Sequence, residues 1–481
     1  MPWPEKTRYL GKPAPRNDAP AKVTGRAKYT TDVVKRGMLY GAILRSKWPA
    51  ATIRSIDLEK ARAARGIRAV IAAQPVPFDV KYHGDELAAV AGTSKQAVLD
   101  ALELIQVDAQ PRAFVVKELD AIKPDAPRVV PDSPNLGEGQ VKETGDVDAA
   151  FSAAAGVIEG VYETQVETHN PLEPQGNAVM WEDGMMTAWS STQGIYGVRS
   201  AFADGLKVPQ NRIRVICDYM GGGFGSKFTP GAQGMLCAKL AKEAGAPVKL
   251  ILTRFEQAIA VGNRPSSHQK IKLGADASGK FTAFQLESFG TPGYRSGATT
   301  GGGSGGASFP APYLYKPATT RIKQGSVAIN AGQSCAFRAP GHPVASFGIE
   351  SAIDDLAVKM GIDPVAIRIL NDPLEIRRRE YQIGSERFGW KDNYRKPGTT
   401  TGPIKVGIGC AGSAWNSGMV RETQAQVQIN SDGTVDVRAG IQDLGTGSRG
   451  VVQLVAAEML GLDLDRVTPH IGDTHFPPGP S

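Results

Sequence analysis

Apolar residues recur in two rhythms along the chain, and each change of rhythm marks an element. Residues 38–45 alternate as a strand, 57–65 read as a short helix with Leu58 and Ala61 on one face, and 68–71 return to strand. Residues 93–104 have helical spacing and run into the strand-like Ile105-Gln106-Val107. Together these predict a compact α/β unit. Further on, 212–217 read as a strand, then a glycine loop, then a helix over 231–243 that Gly245 and Pro247 stop, then a strand over 248–252.

Ile353, Leu356, Ala357 and Met360 trace a helical face ending at Gly361, and Asp363-Pro364 supplies a cap and first-turn proline for the next helix. Segments 423–430 and 434–438 flank Asp432-Gly433, a hairpin signal, and 451–460 form a helix capped by Gly461. The pattern predicts a mixed α/β, or α+β, protein: an arm over 1–20, an α/β domain over 21–130, a Pro- and Asp-rich linker over 131–150, a large domain over 151–395 and a last one over 396–481. That last stretch is short for a domain and reads as incomplete.

Composition narrows the function. The net charge of +7 comes from 55 basic and 48 acidic residues that are mostly interspersed. Arg377-Arg378-Arg379 is flanked by Glu375 and Glu380, so it reads as a solvated helix end or a subunit contact rather than a nucleic-acid patch. Cys217, Cys237, Cys335 and Cys410 are widely separated, which argues against an iron–sulfur or structural zinc site built by this chain and fits a reducing compartment. No H-E-x-x-H occurs among the six histidines. No apolar run has membrane-spanning length and no signal region opens the chain, so a cytoplasmic location is expected, or a periplasmic one if an exported partner carries it.

The 56 glycines gather in three places of interest. Gly407-Ile408-Gly409-Cys410-Ala411-Gly412 matches the dinucleotide fingerprint G-x-G-x-x-G, but a strand-like run follows it where a helix is required, which weakens a nicotinamide-dependent oxidoreductase reading. Residues 301–306 read as a surface loop. The run Met220-Gly221-Gly222-Gly223-Phe224-Gly225-Ser226-Lys227 lies between a strand and a helix, where backbone N–H groups can converge on an anion or oxo ligand, or simply form a tight turn.

Gly-Gly-Gly-Phe-Gly-Ser-Lys resembles the G-G-G-F-G-G-K signature of the xanthine oxidase and aldehyde oxidase family. Further segments are similar in the family's order: residues 22–30, His169-Asn170-Pro171-Leu172-Glu173-Pro174, Ser191-Thr192-Gln193, Ala336-Phe337-Arg338-Ala339-Pro340-Gly341 and Gln442-Asp443-Leu444-Gly445-Thr446-Gly447. The resemblance, closest to bacterial three-subunit aldehyde-oxidase-like members, implies a hammerhead-like α/β domain followed by molybdenum-cofactor-binding domains. It also implies molybdopterin, as the cytosine dinucleotide, with molybdenum that takes no direct protein ligand, and partner subunits carrying [2Fe–2S] and FAD. By resemblance, Gln193 is a donor near the metal, Gly222, Gly223, Phe224 and Gly225 form the loop over its oxo group, Arg338 is a further donor, and Leu444, Gly445, Thr446 and Gly447 hold the pterin or phosphate part. His169 and Glu173 lie among prolines that forbid a regular helix, and read as packing beneath the cofactor loop.

Two departures matter. Purine-oxidising members carry a glutamate directly after the G-G-K lysine; here Phe228 stands there, which favours an aldehyde or N-heteroaromatic substrate. The family's general base is a glutamate in a G-x-G-E context beyond its G-D-T segment. Gly472-Asp473-Thr474 matches the latter, but no G-x-G-E occurs in the 481 residues, and Glu458 on an amphipathic helix is no substitute. No catalytic residue is therefore assigned within this chain. Either a second polypeptide supplies the remainder, or the chain is a truncated, non-catalytic fragment.

Overall fold

A computed structural model describes residues 6–294, 309–415 and 423–479. They form two compact units, one drawn from residues 1–113, 168–262 and 418–481, the other from 114–167 and 263–417.

The first unit is organised by a seven-stranded sheet in the order Ile213–Ile216, Met185–Ser190, Gly176–Glu182, Val248–Ile251, Leu39–Arg45, Glu86–Gly92, Ile67–Ala72. Three strands of the N-terminal α/β segment thus join this larger sheet, while Phe78–Val80, Ala51–Asp57 and Gln106–Pro111 form a small sheet of their own. Leu39 lies opposite Val248 in a parallel pairing. Glu86–Gly92 lies between Leu39–Arg45 and Ile67–Ala72, and its residues Leu87 to Ala91 are all buried, so both faces are covered. Helices Ile195–Leu206 and Gly231–Ala244 cover one face around Val179, Phe202, Leu240 and Leu250. Helix Lys95–Glu103 covers the other around Val70, Ala88 and Val98, its first turn capped by Ser94, whose Oγ accepts the Ala97 amide at 3.1 Å. Gly245, at φ +56°, ends Gly231–Ala244 as its sequence predicts.

The predicted hairpin is Gln426–Ile429 against Val435–Ala439, and Val467–Ile471 adds in parallel. Helix Ser448–Leu460 packs on this small sheet around Val435, Val437, Ala457 and Val467, with Tyr9 against the cluster. Gln426–Ile429 is an edge strand exposed along its length. Within the stretch read as an arm, residues 8–10 are held to this last segment. Glu458 accepts the backbone amides of Arg8 (2.8 Å), Tyr9 (2.6 Å) and Leu10 (3.1 Å).

In the second unit a sheet runs Leu136–Gly137, Thr319–Ala328, Phe281–Gly293, Ser267–Ala275, Gly156–Thr164, with Val141–Thr144 also paired to Thr319–Ala328. The stretch read as a linker thus contributes two short strands. Helix His342–Met360 crosses the sheet, starting well before the face seen in sequence, because His342, Val344, Ala345, Ile349 and Glu350 are buried on too many sides to leave a stripe. Inside, the fully buried Arg368 pairs with Glu350 at 2.6 Å and Asp354 at 2.7 Å. Helix Pro364–Asn371 begins as expected on Asp363, which caps Val365 and Ala366. Of the basic run, Arg377 pairs with Asp372 and Arg378 bonds its carbonyl, so these are helix-end contacts. The glycine cluster at 301–306 lies outside the described residues. Among the described residues no helix is long and apolar enough to cross a membrane.

Candidate functional site

The loop between strand Ile213–Ile216 and helix Gly231–Ala244 has positive φ at Gly222 (93°), Phe224 (56°) and Gly225 (115°). Phe224 is the costly one, since a side chain disfavours that region. A turn closes the loop: Ser226 N donates to Gly223 O at 3.1 Å, and Ser226 Oγ to the same oxygen at 3.0 Å. Gln175 Nε2 then donates to Ser226 Oγ at 2.7 Å. Ser226 stands where the family signature has glycine, and it ties the turn to its surroundings.

Gln193 sits at the end of strand Met185–Ser190 and reaches under this loop. Its Oε1 accepts the amides of Gly225 at 2.7 Å and Lys227 at 3.3 Å. A Cβ on Gly223 would stand only 2.5 Å from that oxygen, so the close approach requires glycine. With Oε1 occupied by the loop, the amide orientation is fixed and Nε2 is left as a donor, making no hydrogen bond among the described residues. The N–H groups of Gly222, Gly223 and Phe224 also have no partner there. The Phe224 ring is partly exposed beside Gly222.

Beneath the loop lies a buried polar hub. Glu173 Oε2 accepts Gly221 N and Ser191 Oγ, each at 2.8 Å, and Oε1 accepts Thr30 N at 3.0 Å. Lys227 Nζ donates to Glu173 O at 2.7 Å and to Ser191 Oγ at 2.6 Å, and lies 3.9 Å from the Glu173 carboxylate. Burial pushes the Lys227 ammonium down to about 8, with Glu173 opposing the shift. Glu173 is thus a fastener under the loop, as its proline-flanked position suggested, and His169 is buried nearby in sequence.

The second loop, 442–447, is organised by a residue that sequence reading did not single out. Asp443 is buried, and its Oδ1 accepts Gly445 N at 2.8 Å and Gly447 N at 3.0 Å. Leu444, Gly445 and Thr446 are left on the surface, and Gly447, at φ +102°, opens helix Ser448–Leu460. Gln442 Oε1 accepts Ile195 N at 3.1 Å, two residues beyond Gln193. Arg16 donates to Gly445 O at 2.8 Å, and only a contact so distant in sequence brings it here. Gly472 O accepts Cys217 N at 2.7 Å and Asp473 pairs with Arg214, fastening the G-D-T segment to the strand that leads into the glycine loop.

The first unit thus brings together Gln193, Gly222, Gly223, Phe224 and Gly225, and holds the Gly445–Gly447 loop. Phe228, just past the lysine, is half-buried. Arg338 belongs to the second unit; it is exposed, and its guanidinium forms no ion pair or hydrogen bond among the described residues. Gly407–Gly412 carries neither helix nor strand; Ser346 Oγ bonds Gly412 O at 3.1 Å.

Against known proteins, residues 131–372 and 384–481 match two molybdopterin cofactor-binding domain profiles, and 24–81 match the a/b hammerhead domain of aldehyde oxidase and xanthine dehydrogenase. The aldehyde oxidoreductase molybdenum-binding subunit PaoC of Escherichia coli (strain K12) is 32% identical, over 98% of this chain and 67% of that protein. The nicotine 6-hydroxylase large subunit of Paenarthrobacter nicotinovorans is 26% identical, over 96% of this chain and 64% of that protein. The chain therefore spans about two-thirds of these relatives. Quinoline 2-oxidoreductase from Pseudomonas putida 86 shares the fold, with a TM-score of 0.85 at 21% identity over 98% of this chain and 68% of that one. The aldehyde oxidoreductase from Desulfovibrio desulfuricans ATCC 27774 does too, at 0.86 and 24% over 100% and 58%.

Proposed function

Because the chain belongs to the aldehyde oxidase and xanthine dehydrogenase family, we propose that it is the molybdenum-cofactor-binding subunit of a hydroxylase for aldehydes or N-heteroaromatics. The observation that carries this reading is the orientation of Gln193, whose Oε1 is held by Gly225 and Lys227 so that Nε2 is presented as a donor. The residues fit a molybdenum–pterin group in three further respects. Gly223 admits the close approach of Gln193 that fixes its amide, and among the described residues three successive amides, Gly222 to Phe224, are unspent. A buried ammonium, Lys227, lies beneath, favourable to an anion.

When bound, the group supplies oxygen transfer from water and accepts the two electrons released. An aldehyde carbon gains oxygen from water, and two protons and two electrons leave with its conversion to the acid. This chain's residues bind and orient. Gln193 Nε2 and the loop amides hold the inorganic end, Leu444 to Gly447 hold the pterin or dinucleotide end, and Arg338 is a further donor. Preorganised donors of this kind need no rearrangement as charge develops. Phe228 offers an apolar or aromatic contact to the substrate. No general base is assigned among these residues, and the electrons would pass to [2Fe–2S] and FAD on partner subunits. The proposed organisation is a hammerhead-like domain over 21–130 and cofactor-binding domains over 151–395 and from 396 onward.

The test is co-expression with the neighbouring genes, followed by metal and pterin analysis and assay with an artificial electron acceptor. The expected result is molybdenum and pterin in near-equal amounts, with aromatic aldehydes turned over faster than xanthine. Absence of both groups would sink the assignment, and faster xanthine turnover the substrate class.

A further inference from the structure

Helix Lys95–Glu103 leaves part of its sheet face uncovered. Beside it the first unit holds a cavity of about 460 Å³, lined by strands Leu39–Arg45 and Val248–Ile251, the helix, and Thr31. Tyr40 lies in register with Lys249, so these two share a face with Ala42 and Ile251, each two residues further along its strand. Leu99, 52% exposed, lines the cavity from the helix. The surface is largely apolar.

Two cations face it. Lys249 Nζ donates to the carbonyls of Thr31 at 2.9 Å and Val33 at 3.0 Å, which fix its position and leave its third hydrogen unspent among the described residues. Lys95 Nζ lies 6.0 Å from the centre of the Tyr40 ring. Among the described residues neither ammonium forms an ion pair. Burial and the like charge of Lys95 hold Lys249 below the ordinary lysine range, with Asp32 opposing the shift. Like charges over an apolar floor repel, and an anion between them removes that cost. A concave site of this size, mainly apolar with a few fixed polar groups, is the usual form of a small-molecule pocket. An inorganic anion would leave the apolar floor unused, and a neutral hydrocarbon would leave both ammonium groups unpaired.

We propose that this cavity binds a small aromatic carboxylate, its charged end held by Lys95 and Lys249 and its ring laid on Tyr40, Ala42 and Ile251. Neither the glycine loop nor the 442–447 loop lines it. Such an acid is also what oxidation of an aromatic aldehyde releases, but the binding does not depend on which reaction the chain serves.

The test is ligand-observed fluorine NMR on the co-expressed complex. The probe is para-fluorobenzoate, with para-fluorobenzamide as its neutral twin and fluoroacetate as the charge without the ring. Affinity should fall about tenfold or more for either analogue. Lys95→Gln should weaken binding of the probe about three- to tenfold, and Lys95→Glu should abolish it. Lys95 is exposed, so thermal melting should not change. Lys249→Met should weaken binding as well, and should that variant fail to fold, the Lys95 variants decide alone. Phe228→Glu, at the proposed substrate contact, should leave the affinity within about twofold of wild type. No binding to the wild type, equal affinity for either analogue, or an affinity indifferent to both Lys95 variants would overturn the proposal. Loss of binding in Phe228→Glu would do so too, by placing the probe with the substrate. A preparation without molybdenum or pterin should bind the probe equally, so failure of the functional reading leaves this site standing. An affinity lost together with the cofactor would overturn the site.

Discussion

Gln193 Oε1 stands 2.7 Å from the amide of Gly225, a side chain at the end of one strand holding a loop that begins at the end of another. The contact decides which atom of the amide faces the loop. Replacing Gln193 by Leu leaves the Gly225 and Lys227 amides buried without an acceptor, at a cost of about 1–3 kcal/mol. A urea unfolding midpoint shifted to match is expected. In the reconstituted complex, turnover should fall about a hundredfold, the scale for losing one preorganised donor. Gln193→Leu with wild-type stability would contradict the contact.

Phe224 pays for its place with backbone strain at φ 56°. Phe224→Gly should therefore raise stability by about 1 kcal/mol while lowering turnover, as expected where strain is held for function. Thermal melting and steady-state assay on one preparation separate the two. A destabilised variant would mean that ring packing outweighs the strain.

Lys227 gives the site a pH signature. Its folded-state value of about 8 lies below the ordinary 10.5, so between those limits the unfolded chain binds a proton that the folded one lacks. Stability contributed by this group therefore rises with pH across that window. The thiols of Cys217 and Cys237, pushed up to about 12 by burial, act in the opposite direction at high pH, so the comparison must be with Lys227→Met. The stability difference between wild type and variant should grow from pH 8 to 10.5. A difference that does not vary with pH would show that Lys227 titrates normally.

Phe228 carries the substrate-class proposal. Phe228→Glu should lower kcat/KM for an aromatic aldehyde by about tenfold or more, the scale of a lost apolar contact in a pocket. Relative activity on purines should rise. Equal effects on both classes would place Phe228 away from the substrate.

Glu458 holds the N-terminal segment through three amides. Glu458→Ala should cost about 1–3 kcal/mol and speed proteolysis within residues 6–12. Unchanged cleavage there would show that Tyr9 packing alone suffices.

The glycine loop was legible in sequence because its chemistry is local: glycines where side chains would collide, and a strand and helix on either side. The same holds for Gly245 and Asp363, whose caps are written within a few residues. Glu173 could be assigned beneath the loop from its flanking prolines, but not its reach to Thr30 and Gly221, which depends on the fold. Asp443 looked like one residue of a motif, and only the amides it accepts reveal it as the loop's organiser. The start of helix His342–Met360 was hidden because burial on many sides erases the stripe that periodicity detects. Pairing between Leu39 and Val248 left no local trace at all.

That pairing has a consequence for how the chain is made. Strand Leu39–Arg45 leaves the ribosome early, yet its parallel neighbour Val248–Ile251 is synthesised some two hundred residues later. At ordinary elongation rates the wait is roughly ten to forty seconds. During it, one edge of an apolar strand has no mate, and the nascent chain must be shielded or must pair provisionally. Mutations that slow translation between these two strands, without altering a single amino acid, should lower the soluble yield.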